Sequence, residues 1–171
     1  MRRTIITDSV KTNPKPSNRF KYLLGKLMPS IFGSPMHMQA ILRDQFGNIK
    51  EVRNVYNTVT SAAKIRTADW LQTTPATSEK PSHMAVGTGT PSATALGVEN
   101  DRNALTSSTT SGTAVLTMVG DWAAGDATAA ITEAGVFDTA AGATMWLSAS
   151  FAVINKGSLD TLQINWTFTI A

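Results

Sequence analysis

Thr161-Leu162-Gln163-Ile164-Asn165-Trp166-Thr167-Phe168-Thr169-Ile170, at the C-terminal end of the chain, alternates apolar and polar residues without a break. A period of two puts Leu162, Ile164, Trp166, Phe168 and Ile170 on one face of a strand and the polar residues on the other. β-branched and aromatic side chains fill most of the positions, as a half-buried pleated surface favours. Ten residues rising about 3.3 Å each would span roughly 33 Å, long for a strand. Each large apolar side chain contributes at most about 1.5–3 kcal/mol when buried, so five of them rival the net stability of a domain. Uncharged and apolar on one face, this strand is expected at the centre of a sheet.

Working backwards, Thr144 to Ile154 reads as another strand with Met145, Leu147, Ala149, Phe151 and Val153 on one face, and Asn155-Lys156-Gly157-Ser158 turns the chain between the two. Ala130 to Phe137, Thr113 to Val119 and Met84 to Gly89 complete a series of short strands separated by turn clusters, the pattern of a sandwich or barrel. Met36 to Asp44 alternates as well, and Ile49 to Val55 is extended. Asp44-Gln45-Phe46-Gly47-Asn48 between them carries turn chemistry, which predicts a hairpin. Thr58 or Thr60 is placed to cap a helix over 61–72. The expected fold is mainly β: an antiparallel sandwich of jelly-roll or immunoglobulin-like type, with one short helix and an extended basic N-terminal arm. The expected divisions are an arm over 1–35, a hairpin and helix joining the core over 36–81, and the sandwich core over 82–171. Phe137, Phe151, Ile164, Trp166 and Phe168 are the expected core anchors.

The 171 residues suit one domain with length left for an arm, and only 16% are charged. The charge is unevenly placed. Residues 1–66 carry twelve Lys or Arg against three acids, a net +9, whereas residues 67–171 carry three against nine, a net −6. Such a split predicts an acidic partner for the first third. Within 1–35, Arg2, Arg3, Lys11, Lys15, Arg19, Lys21 and Lys26 face a single acid, with Pro14 and Pro16 stiffening the chain and Phe20, Tyr22 and Phe32 available as apolar anchors. Nucleic acid would need a binding module that the sequence does not show. A membrane-surface helix over 20–32 would be interrupted by Gly25 and Pro29. Clamping onto an acidic protein surface needs only extended backbone, basic groups and apolar anchors, and is the expected use of the arm.

Chemistry of other kinds finds little footing. There is no Cys, hence no disulfide framework or thiolate site. His37 and His83 fall in different predicted elements, which gives neither a metal-ligand spacing nor a nucleophile triad. Gly87-Thr88-Gly89 has the glycines of a phosphate loop but lacks the Gly-Lys-Ser/Thr opening a helix, so they read as turn glycines. No stretch is long and apolar enough to span a membrane as a helix, and the residues after Met1-Arg2-Arg3 form no signal-peptide core. Asn165-Trp166-Thr167 has the form of a glycosylation sequon but lies inside the predicted strand. Glu133 stands out inside an apolar strand. A buried carboxylate needs a partner, and Arg102 or Lys156 is the expected one.

Several phrases, taken in order, resemble tailed-bacteriophage structural proteins: Met84-Ala85-Val86-Gly87-Thr88-Gly89, Ile131-Thr132-Glu133-Ala134-Gly135-Val136-Phe137, Gly142-Ala143-Thr144-Met145, then Phe151, Asn155-Lys156 and Asp160-Thr161-Leu162 with Ile164-Asn165-Trp166-Thr167. The resemblance covers about half the chain. It implies a virion component with no catalytic residues, a particle part and not an enzyme; no cofactor or metal is expected. The expected role is a capsid decoration (cement) protein that binds the major capsid protein through its arm, as a homo-oligomer, by default a trimer. A tail, neck or fibre component is the alternative, and a carbohydrate-binding or hydrolytic domain a more distant one. The long basic arm departs from the family pattern.

Overall fold

A computed structural model describes residues 37–72, 80–110, 114–142 and 144–169. Among the described residues, ten strands and one helix follow in chain order: β1 (His37–Arg43), β2 (Ile49–Tyr56), β3 (Thr58–Val59), α1 (Ser61–Gln72), β4 (His83–Gly87), β5 (Glu99–Ala104), β6 (Ser107–Thr110), β7 (Val115–Trp122), β8 (Ala129–Phe137), β9 (Met145–Lys156) and β10 (Thr161–Thr169). They form two antiparallel five-stranded sheets, β2-β1-β10-β7-β6 and β3-β9-β8-β4-β5. The protein is an antiparallel β-sandwich.

β10 lies at the centre of the first sheet, paired with β1 through Leu42–Leu162 to His37–Thr167 and with β7 through Leu162–Trp122 to Thr169–Val115. Leu162, Ile164 and Trp166 are fully buried and Phe168 packs against the same core, while Ile170 lies outside the described residues. They join Met38, Ala40 and Leu42 of β1 and Met118 and Trp122 of β7. Across from them, the second sheet contributes Met84 and Val86 of β4, Ile131, Ala134 and Val136 of β8, and Leu147, Ala149, Phe151 and Ile154 of β9.

The chain crosses between the sheets along both long edges. β2 leads through Asn57 directly into β3, and β5 leads through Leu105 and Thr106 into β6. Leu105 N–H donates to Ser82 O in one sheet and Thr106 N–H to Val119 O in the other, so the crossover is hydrogen-bonded at each step. β3 covers only Leu147 and Ser148 of β9. Below it, the Arg53 side chain of β2 donates to Ala152 O at 3.2 Å and Val153 O at 3.0 Å, bridging the sheets without strand pairing.

That bridge meets β9 at an irregularity. Between the pairs Ile131–Ile154 and Glu133–Ser150, β9 holds three residues where β8 holds one. The bulge shifts the inward parity, so the expectation for Val153 is corrected: it is 41% exposed, and Ile154 takes the interior position. At the helix, Thr60 is the cap and Thr58 belongs to β3. Thr60 Oγ1 accepts from Ala63 N–H at 3.1 Å and donates to Met145 O, fixing α1 to the start of β9, where Trp70 and Trp146 lie 5.1 Å apart, ring centre to ring centre.

Candidate functional site

A second, smaller apolar cluster lies on the outer face of the β4–β8–β9 sheet. Phe137 belongs to it, with Ala85, Met145 and Leu96, so Phe137 is buried outside the space between the sheets. Its cover is the 88–98 loop, and Glu133 holds that loop down. The carboxylate is fully buried. It accepts from Gly89 N–H and Val98 N–H on Oε1 and from Gly97 N–H on Oε2, all at 2.9 Å. The expected partners, Arg102 and Lys156, are engaged elsewhere. Hydrogen bonds to a charged group are worth about 1.5–3 kcal/mol each, so three of them offset the several kcal/mol of carboxylate burial without a cation.

The glycines around Glu133 are there for space. A Cβ on Gly87 would lie 2.4 Å from Val98 O and 2.6 Å from Glu133 Oε1, and one on Gly97 would lie 2.5 Å from Thr90 O. Thr132 Oγ1 donates to Gly89 O at 2.8 Å, tying the loop to β8 beside the carboxylate. Gly87-Thr88-Gly89 thus wraps a side chain of the protein itself.

Arg102 secures the other side of this cluster. Its guanidinium sits 3.6 Å from the centre of the Phe137 ring, pairs with Glu99 through both nitrogens Nε and Nη2, and donates through Nη1 to Thr139 O and Gly142 O at 3.0 Å. Asp138 completes the loop by accepting from Thr144 N–H at 3.1 Å.

Lys156, buried at the end of β9, donates to Ala123 O at 2.9 Å and Asp160 O at 2.7 Å. Burial pushes its ammonium pKa down, and the nearby Asp126, Asp160 and Asp101 partly restore it. Asp160 is held below its ordinary carboxyl range by the hydrogen bond from Lys50 at 2.7 Å and by Gly157 N–H at 2.9 Å.

The β1–β2 turn is built with similar care. Asp44 Oδ1 accepts from Phe46 N–H and Asn48 N–H at 2.9 Å, its other oxygen accepts from Asn48 Nδ2 at 3.1 Å, and Arg43 Nη1 donates to Gly47 O at 3.1 Å. The Asn48 side chain first, then the Asn48 and Phe46 N–H groups, lower the Asp44 pKa. Gly47 supplies the left-handed residue at φ +85°. The outcome is a rigid turn that holds Phe46 79% exposed, with Ile49 56% and Leu159 60% exposed at the same end of the sandwich.

Of the residues expected to act, the arm set Arg2, Arg3, Lys11, Lys15, Arg19, Phe20, Lys21, Tyr22, Lys26 and Phe32 lies outside the described residues. His37 stands on β1 beside Tyr56 and Thr167, while His83, on the other sheet, contacts Ser82 Oγ through Nδ1 at 2.8 Å. Among the described residues no group of three His, Cys, Asp or Glu is placed to hold a metal ion. Sequence reasoning named Arg102 for the wrong partner and missed its bonds to Thr139 O and Gly142 O, missed the Lys50–Asp160 pair across 110 residues, and missed Phe46, whose exposure only the Asp44 turn reveals. Comparison of the chain with protein-family models, with curated proteins and with solved structures gave no match.

Proposed function

We propose that this chain is a non-enzymatic structural component of a tailed-phage virion, and specifically a decoration protein seated on the capsid shell. One observation carries the structural-component reading. All four buried ionisable side chains among the described residues, Glu133, Asp138, Lys156 and Asp160, are bonded to the backbone of loops and turns. The fold uses its costly interior charges to make its connections rigid, which is what a part that must hold its shape in an assembly requires. The resemblance of several phrases to phage structural proteins supports the virion, and the basic first third supports an acidic coat as partner. A protein that binds only the assembled shell stabilises it by mass action.

Two measurements test this. Quantified against the major coat protein in purified particles, a decoration protein is present in hundreds of copies, whereas a tail part numbers in the tens or fewer. Deleting residues 2–35 should leave a folded sandwich that no longer binds empty capsids. Full binding by the truncated protein removes the arm from the reading, and binding to tails alone replaces decoration by a tail role.

A further inference from the structure

The strand registers line up the outer side chains of the first sheet in rows. Because Met38, Ala40, Met118, Ile164 and Trp166 point into the core, their neighbours along each strand point away from it. One row runs Tyr56–His37–Thr167–Thr117–Thr109 across all five strands, and the next runs Asn54–Gln39–Asn165–Val119–Ser107. At about 4.8 Å between strands, each row is roughly 19 Å long. None of the ten residues is buried, and none is Lys, Arg, Asp or Glu. Protein surfaces are ordinarily about 25–35% charged, so about three of the ten would be charged on a face that met only water. Charge returns in the third row, where Asp121 accepts from Gln163 Nε2 at 2.9 Å.

We propose that these two rows bind a neutral glycan, an oligosaccharide or polysaccharide without carboxylate, sulfate or phosphate groups. The chemistry of the face narrows the partner. Phosphate-bearing polymers and anionic headgroups need cations, and the two rows hold no Lys or Arg. A protein partner needs an apolar centre, whereas the middle positions here are Thr167, Gln39 and Asn165. What the rows offer is a series of hydrogen-bond donors and acceptors at fixed positions, which matches the successive hydroxyls of a sugar chain. Gln39 Nε2 donates to Asn54 Oδ1 at 3.0 Å, which orients both amides and leaves the acceptor Gln39 Oε1 and the donor Asn54 Nδ2 for a pair of neighbouring hydroxyls. At the end of the first row Tyr56 is 73% exposed beside His37, so its ring is open to stack on the C–H face of a sugar. Carried on paired strands, these groups lose little freedom when they bind. The site goes beyond the decoration reading and does not depend on it.

Binding of the full chain to an array of neutral oligosaccharides, built from glucose, galactose, mannose, rhamnose and N-acetylhexosamine units, tests the site, with affinities then measured by titration calorimetry. At least one neutral glycan should bind. Tyr56→Ala, which removes the stacking ring, and Asn54→Lys, which breaks the amide pair and puts a charge in the row, are both at exposed positions. Each should weaken binding about tenfold or more, the size of one lost contact, with an unchanged circular dichroism spectrum. Ile65→Ser, at an exposed position of α1 on the other sheet, should bind as the wild type does. Failure to bind any neutral glycan overturns the proposal, as does binding that survives both substitutions in the rows. Binding to acidic glycans alone assigns recognition to the basic first third and overturns it as well. So does self-association of the chain that Asn54→Lys abolishes, which gives the face to a second copy.

Discussion

Glu133 shows how one side chain fixes a loop. Its two oxygens satisfy three backbone donors, and an amide in the same place offers one oxygen and turns a donor toward N–H groups. Glu133→Gln should therefore cost about 2–3 kcal/mol, read by urea denaturation, with faster hydrogen exchange at Gly89, Gly97 and Val98. Unchanged stability would mean that the carboxylate charge is not what holds the loop. Asp160 gives a pH-dependent counterpart. Its pKa is lowered in the fold by Lys50 first and Gly157 second, so its contribution is complete above the ordinary value of 3.8 and lost as pH falls through the lower folded value. Asp160→Asn should be less stable than wild type at neutral pH, and the gap should close in acid below that value. A gap that stays constant across the acid limb would remove Asp160 from the linkage. The sequence marked Glu133 as anomalous but not its partners, because the donors lie 35 to 44 residues away in a stretch without periodicity.

At the scale of elements, what was legible followed the alternation of apolar residues. β1, β2, β4, β7, β8, β9 and β10 all carry it in some form, and so does the turn chemistry of Asp44 to Asn48. β5 and β6 do not: Glu-Asn-Asp-Arg-Asn-Ala and Ser-Ser-Thr-Thr are strands because partners β4 and β7 pair with them, with no apolar side chain to bury beyond alanine. The parity of β9 was legible only up to Phe151, since a bulge is set by the partner strand. Glycine roles separate in the same way. Gly87 has no room for a Cβ, whereas Gly125 has open space around it and a φ of +93°. Gly87→Ala must displace backbone or the Glu133 carboxylate and should cost about 2–3 kcal/mol, while Gly125→Ala should cost about 1–2 kcal/mol from backbone strain alone. Thermal denaturation of both variants checks the order, and equal or reversed costs would contradict the crowding assigned to Gly87.

On the scale of the whole molecule, the sandwich is closed along both edges by chain that belongs to both sheets. β2 passes into β3 and β5 into β6, and Asn103 Nδ2 of β5 donates to Asp121 O of β7 at 3.0 Å across the second edge. Neither sheet can detach without opening the shared core and breaking these crossings, so residues 37–169 should unfold in one cooperative step. Two substitutions probe that step from different sides. Trp166→Ala empties the centre of the core and should cost about 3–5 kcal/mol, a large part of a domain's stability. Arg53→Ala removes the bridge to the bulged carbonyls at a partly exposed edge and should cost only about 1 kcal/mol. Both should shift the same single transition to lower denaturant with an unchanged dependence on denaturant concentration, whether followed by tryptophan fluorescence or by circular dichroism. If Arg53→Ala instead splits the transition in two, the β2–β9 edge is a seam between separately folding sheets, and the crossings do not unite them.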